Sequence, residues 1–167
     1  MISFDAKVEE KDLYKYSMHH TYTSFQGIAS VVAALLIFAS MILRFDELSD
    51  TQRGFYVLIV FIFLAYMPVN IRMMAKKQAL QEVFSKPLHY EFGEDGIAVT
   101  SPTSEEEAGL PWSYIYKIVT WKDYLLIYSN RVNAYIIPRS EVDSQYPAIK
   151  EYIESHVEDY KLTLKWK

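Results

Sequence analysis

The chain contains no cysteine among its 167 residues. This absence excludes disulfide bonds, thiolate metal sites and a cysteine nucleophile. It also fits a cytoplasmic location for the soluble part of the chain, where disulfides are rare.

Other signals of chemistry are missing as well. The sequence has no glycine-rich phosphate loop and no local pairing of a nucleophile with a base. His19 and His20 are adjacent, so a helix would point them to different sides, and three consecutive acids at 105–107 would alternate faces in a strand. We therefore expect no catalytic, cofactor-binding or metal site, and a protein that is not an enzyme.

Positive charge is scarce in the C-terminal half. Residues 87–167 carry eight basic and thirteen acidic side chains, a net charge of −5. No clustered basic face is visible, which argues against nucleic acid as a partner. The acidic early loops of this segment also disfavour binding of phosphoinositide headgroups.

Two long apolar runs dominate the first half of the chain. Phe25–Leu43 has no charged residue across 19 positions, and Phe55–Ile71 has none across 17. As helices they would be about 28 Å and 25 Å long, close to the ~30 Å hydrocarbon core of a bilayer. We predict two transmembrane helices, 25–43 and 55–71, joined by an extracytoplasmic loop, 44–54. The alternative is a pair of buried core helices in a soluble protein.

Basic residues near the ends of the two runs predict the orientation. Three lysines precede the first run, whereas the loop carries two arginines beside three acids. Arg72, Lys76 and Lys77 follow the second run. By the positive-inside rule both termini should face the cytoplasm. We expect those three cations and Tyr22 to anchor the helices at the membrane interface.

The segments around the runs complete the membrane part. Residues 1–24 are predicted to form a strand and an amphipathic helix, and residues 72–86 a cytoplasmic stalk helix. Pro68 removes a helix hydrogen bond and is expected to kink the second helix. Ser30 and Ala34 have the small-xxx-small spacing that allows close helix packing in lipid. They would pack against the second helix or, alternatively, form a homo-oligomer interface.

Residues 87–167 read as a small α+β domain. Short alternating strands separated by turns are followed by a helical pattern in YPAIKEYIESHV and a final edge strand in YKLTLKWK. LPWSYIYKIVTWKD is predicted as one strand interrupted by Pro111. This order suits a small antiparallel barrel or sheet that is closed by a C-terminal helix.

Three stretches of the C-terminal half are YEFGEDGIAV, LPWSYIYKIVTWKDYLLIY and AYIIPRS. In these stretches and in the order of its parts, the chain resembles the YcxB-like family of bacterial membrane proteins. The resemblance implies a pleckstrin-homology-like cytoplasmic domain fused to a two-helix hairpin in the bacterial cell membrane. It implies no catalytic activity and assigns no functional residue.

These features together predict a membrane-held protein-interaction or regulatory module. Its partners would be the lipid bilayer and a protein of unknown identity, with Trp112 and Arg139 as candidate partner contacts. One alternative is an accessory or immunity subunit that acts on a membrane transporter through its spans. Another is a sensor of a small ligand or lipid with an apolar pocket in the β domain.

Overall fold

The computed structural model of the protein describes residues 1–103 and 107–166. The chain has an α+β architecture and divides into two compact units. Unit 1 combines Met1–Leu13 with Gln78–Lys167, and unit 2 is Tyr14–Lys77. The β domain therefore includes the start of the chain, and the apolar segments are inserted into it.

Unit 1 contains two four-stranded sheets. The strands of the first are β1 Ile2–Ala6, β2 Leu88–Phe92, β3 Gly96–Thr100 and β4 Glu107–Pro111. They lie in the order β1-β2-β3-β4 and are antiparallel throughout. The strands of the second are β5 Lys117–Trp121, β6 Tyr124–Tyr128, β7 Ala134–Pro138 and β8 Leu162–Thr163. They lie in the order β7-β6-β5-β8, with β8 parallel to β5.

The N-terminal strand pairs along its whole length with the strand that follows the apolar segments. All five residues of β1 oppose β2, from Ile2 against Phe92 to Ala6 against Leu88. Phe4 and Tyr90 are directly opposite, buried, and stacked with ring centroids 5.4 Å apart. Because side chains alternate between the two faces of a strand, the faces of β1 and β2 that carry Phe4 and Tyr90 pack into the core, and Ser3 and Asp5 are exposed.

Helices from the C-terminal part complete the core of unit 1. A four-residue helix, α6 Arg139–Val142, follows β7, and α7 Tyr146–His156 follows it. Pro147 lies in the first turn of α7, where its missing N–H leaves no intrahelical bond unmade. Ile149 and Ile153 lie four residues apart on one face and are fully buried among side chains of both sheets.

Several details of the predicted β domain need correction. The described strands form two sheets and no closed barrel. The segment predicted as one interrupted strand is two strands, because Trp112–Tyr114 forms a 3₁₀ turn after Pro111 and β5 starts in the second sheet. The short α6 was not predicted. The predicted C-terminal helix and edge strand are present, whereas the acidic tip at 104–106 lies outside the described residues.

Unit 2 is helical. The chain enters it through α1 Glu10–Thr23, and α2 Phe25–Leu43 follows after a single residue. That residue is Ser24, whose side chain caps α2 by accepting a hydrogen bond from the Gly27 N–H at 3.0 Å. No residue of α2 is buried, so this apolar helix exposes side chains such as Phe25 and Leu36.

The second apolar run is helical but irregular. α3 Asp50–Phe61 continues through a π-helical turn, Ile62–Tyr66, into α4 Met67–Ala79. The Met67 N–H donates to the Ile62 carbonyl five residues back, immediately before Pro68. Proline has no N–H and its ring crowds the carbonyl four residues earlier, which a wider turn relieves. The π-helical turn ends two residues before Pro68, where the sequence predicts a kink.

Arg53 organises the turn between α2 and α3. Its guanidinium donates two hydrogen bonds to the Phe45 carbonyl, lies 4.4 Å over the Phe45 ring, and pairs with Asp50 at 3.1 Å. Ser49 and Gln52 form a reciprocal capping box at the start of α3. The two helices that flank this turn contact each other. The apolar segments therefore fold as a helical hairpin.

Among the described residues, one helix is long and apolar enough to cross a membrane, namely α2 with a mean hydropathy of 2.2. The predicted stalk helix over 72–86 is shorter than expected. α4 ends at Ala79, and the separate helix α5 Glu82–Ser85 precedes β2.

Gly96 is required by close packing between β3 and β4. A Cβ at this position would collide with the Leu110 carbonyl and lie 2.6 Å from the Pro111 Cα, both parts of the backbone. Gly93 is a matched control, because a Cβ there would meet only the Gly96 carbonyl oxygen at 3.8 Å. We predict that Gly96→Ala destabilises the protein by about 1–3 kcal/mol, as overpacking does, and that Gly93→Ala leaves the thermal unfolding midpoint nearly unchanged. Equal midpoints for both variants would contradict this account.

Candidate functional site

A cleft of about 560 Å³ opens on unit 1. Four separate parts of the chain line it: the segment that leads from β1 into α1, the start of β2, the turn before β6, and the junction of β7 with α6. The lining residues are Lys7, Glu9, Lys11, Asp12, Pro87, Asp123, Tyr124, Pro138, Arg139, Ser140, Glu141 and Asp143.

A buried hydrogen bond joins the first turn of α1 to β6 in this cleft. The Tyr124 hydroxyl donates to Asp12 Oδ1 at 2.7 Å, and both residues are 3% exposed. Asp12 Oδ2 accepts the backbone N–H of Glu9 at 2.9 Å, so the carboxylate also caps the start of the helix. A buried carboxylate needs such partners, because an unpaired one would be strongly destabilising.

The environment of Tyr124 favours its neutral form. Burial raises the pKa of the hydroxyl well above its ordinary value of 10.0, and the hydrogen bond to Asp12 and the charges of Asp12 and Asp123 raise it further. The group therefore acts as a permanent hydrogen-bond donor near neutral pH and not as an acid or base.

Ion pairs occupy the rim of the cleft. Lys11 pairs with Glu9 at 2.7 Å, and Arg139 Nε pairs with Asp143 at 2.7 Å. The Arg139 guanidinium also lies 5.2 Å from the ring centroid of Trp166, whose indole N–H donates to the Lys122 carbonyl. Arg139, predicted as a partner contact, is therefore held in place while its side chain stays 39% exposed.

The lining of the cleft is suited to polar contacts. Charged side chains of both signs line the cleft together with Pro87 and Pro138. Among residues 1–103 and 107–166, no group of three or more histidine or acidic side chains is placed to hold a metal ion. The arrangement can bind a charged or polar segment through ion pairs and hydrogen bonds.

Trp112, the other predicted partner contact, lies in the core of unit 1. It is 8% exposed, and its indole N–H donates to the Gly93 carbonyl at 3.0 Å. Its ring stacks with His156 at 5.0 Å. This side chain offers little surface to a partner, and it lies outside the lining of the cleft.

The predicted membrane anchors belong to unit 2. Arg72, Lys76 and Lys77 are exposed on α4, and Tyr22 is half-buried near the end of α1. Ser30 and Ala34 lie on the half-buried stripe of α2, the helix that contacts α3. That placement agrees with packing inside the hairpin. It does not test a homo-oligomer.

The pairing of Asp12 with Tyr124 was missed by sequence reasoning. An acidic residue in the first turn of a helix is common, because it interacts favourably with the helix dipole. Nothing in the sequence links Asp12 to a tyrosine 112 positions away. Only the spacing of Asp12 three residues after Glu9 was readable as half of a capping box.

A family model described as YcxB-like protein matches residues 92–153. The matched part runs from the end of β2 to within α7 and is similar to that family. It supports the resemblance over these residues. No curated protein and no solved structure matches the chain.

Loss of stability at alkaline pH should report on the buried tyrosines. The folded-state pKa values of Tyr124 and Tyr90 are raised, chiefly by burial, so folding favours the neutral hydroxyls. Their contribution is complete below the ordinary tyrosine pKa of 10.0 and is lost as the pH rises above it. We predict a nearly constant free energy of unfolding from pH 7 to 9 and a fall above pH ~10, measured by denaturant titration.

The Tyr124→Phe variant isolates the contribution of the hydrogen bond between Tyr124 and Asp12 to the free energy of unfolding. At pH 7 the variant should lose about 1–3 kcal/mol, because Asp12 Oδ1 stays buried without its donor. Above pH 10 its stability should fall less steeply than that of the parent, since one titrating group is gone. An unchanged slope would show that Tyr124 does not titrate with unfolding.

Proposed function

We propose that this chain is an integral membrane protein with two spans that holds a pleckstrin-homology-like domain at the cytoplasmic face of the bacterial cell membrane. In this proposal the domain is a non-enzymatic module for protein interaction or regulation. Arg72, Lys76, Lys77 and Tyr22 lie at the membrane interface.

The pairing of β1 with β2 carries this proposal. Ala6 lies opposite Leu88, so the chain on both sides of the apolar hairpin belongs to one sheet. A sheet cannot be divided by a bilayer, because unsatisfied backbone groups are too costly in hydrocarbon. The segment between the two strands must therefore cross a membrane an even number of times. If α2 crosses, a second crossing follows, and the second apolar run is the available segment.

The second run supports a crossing despite its π turn. Helical backbone continues from Asp50 to Ala79, so main-chain groups are bonded within the segment, as lipid requires. Exposed apolar side chains follow one another along it, among them Phe55, Leu58, Phe61 and Val69. Exposed cations begin only at Arg72. A water-soluble protein would not leave such a surface uncovered.

The arrangement of unit 1 supports a pleckstrin-homology-like type. Two four-stranded sheets share a core with a C-terminal helix, and the matched family region covers most of that assembly. The first strand comes from before the hairpin. In this proposal the membrane segment is thus an insertion within the domain and not a simple N-terminal anchor.

The polar cleft supports an interaction role. Its rim of ion pairs and the exposed part of Arg139 fit a charged segment of a partner protein. The accessory-subunit alternative depends on the exposed surface of the spans and is separated from the module by experiment.

The cysteine-free chain makes the topology directly testable. We predict that Glu47→Cys reacts with a membrane-impermeant maleimide added outside intact cells. Lys7→Cys and Lys86→Cys should react only after the membrane is permeabilised, because β1 and β2 lie on the same, cytoplasmic side. Labelling is measured by the mass shift on gels.

Two results would contradict the topology. Protection of Glu47→Cys together with release of the protein by alkaline carbonate would show no crossing. Opposite sidedness of Lys7→Cys and Lys86→Cys would break the β1–β2 constraint itself.

A hairpin exchange tests where the function lies. Residues 25–71 are replaced by an unrelated two-span hairpin, and the parent and the exchanged protein are used for affinity purification in mild detergent. A module predicts the same partner in both samples. A partner retained only by the native hairpin favours the accessory-subunit alternative. The exchange keeps β1, which a fragment starting at Pro87 would lose.

A further inference from the structure

Most of the large apolar side chains that unit 1 exposes gather at one end of its second sheet. Tyr114 is 72% exposed, Tyr116 45%, Val132 59% and Tyr160 81%. These four residues and the exposed Arg131 are called the tyrosine patch below. Exposed apolar side chains that are grouped together mark interaction surfaces.

The register of the second sheet brings the patch together. Lys117 opposes Tyr128, and the Tyr116 N–H donates to the Tyr128 carbonyl at 2.9 Å. Tyr116 therefore lies beside the turn between β6 and β7, which carries Val132. On the other side of β5, Ile118 is paired with Leu162 of β8. Tyr116 and Tyr160 each precede this pair by two residues, so both lie at the same end.

Hydrogen bonds close the turn between β6 and β7. Asn130 Oδ1 accepts the N–H groups of Val132 and Asn133, both at 2.8 Å. The Ser129 N–H donates to the Asn133 carbonyl. Arg131 is thus presented from a hydrogen-bonded turn, and such preorganisation reduces the entropy lost on binding.

Arg131 gives the patch its charge preference. Within the described part of the chain it has no ion-pair partner, whereas Lys161 is paired with Glu158 at 2.8 Å and Lys117 lies 4.5 Å over the Tyr128 ring. The surrounding domain is acidic. An exposed arginine on a surface with exposed tyrosines has the composition of interface hot spots, and its guanidinium complements a carboxylate.

We infer that the tyrosine patch binds a protein segment that places one carboxylate on Arg131 and an apolar side chain against Tyr116 and Tyr160. A bilayer surface is disfavoured. Anionic lipid recognition uses clusters of four or more unpaired cations, and Glu158 and Asp159 lie beside Tyr160. This inference rests on the proposed interaction function and assigns it a surface separate from the polar cleft.

Site-specific crosslinking in living cells tests this surface on the full chain. The probe is a photoreactive phenylalanine analogue placed at Tyr116, at Tyr160 or, as a control in the cleft, at Ser140. The patch positions should form an adduct with one protein, through a peptide that contains an acidic residue close to an apolar one. Arg131→Glu should lower the adduct yield about tenfold, as loss of a hot-spot contact does. Arg131→Lys should retain most of it.

The outcomes separate this inference from the proposed function. A protein adduct at Ser140 but not at the patch would keep the interaction function and overturn the surface. Adducts at the patch with lipid only, or a yield indifferent to Arg131→Glu, would also overturn it. No protein adduct at any of the three positions would contradict both proposals.

Discussion

The pairing of β1 with β2 constrains almost everything else in this protein. It joins residues on both sides of the apolar hairpin into one sheet and buries Phe4 against Tyr90. Because backbone hydrogen bonds are local and directional, this ladder fixes the two ends of the insertion at one domain. Any crossing of a membrane by the insertion would then occur an even number of times, and the β domain depends on a strand that is far away in sequence.

A second link across the chain reinforces the first. Asp12 lies six residues after β1. Its two carboxylate oxygens accept hydrogen bonds from the Tyr124 hydroxyl and from the Glu9 backbone N–H. The N-terminal segment thus supplies β1 to the first sheet, and the first turn of α1 is hydrogen-bonded to β6 of the second sheet. Removal of the N-terminal segment would uncover the β2 edge and leave Tyr124 without its acceptor. Such edges and orphaned polar groups are liabilities in any fold.

The two candidate surfaces of unit 1 differ in chemistry. The cleft is lined by charged side chains around a buried hydrogen bond, so it offers polar contacts. The tyrosine patch offers exposed rings and one arginine without an ion-pair partner in the described chain. Tyr124 and Tyr128 are the two ends of β6, and they lie at the cleft and beside the patch respectively. A partner could therefore engage one surface and leave the other accessible.

Local patterns in the sequence determined the elements. These patterns include the uncharged runs, the alternation in LHYEF and GIAVT, and the four-residue spacing of Ile149 and Ile153. They can be read from the sequence because they depend on residues that are close together along the chain. Tertiary structure alone decided that the strands form two sheets instead of a barrel, that Ile2–Ala6 joins the first of them, and that Trp112 is buried while Arg139 lines a cleft. Those outcomes depend on contacts between residues such as Asp12 and Tyr124, whose pairing is set by three-dimensional packing and leaves no periodic trace in the sequence.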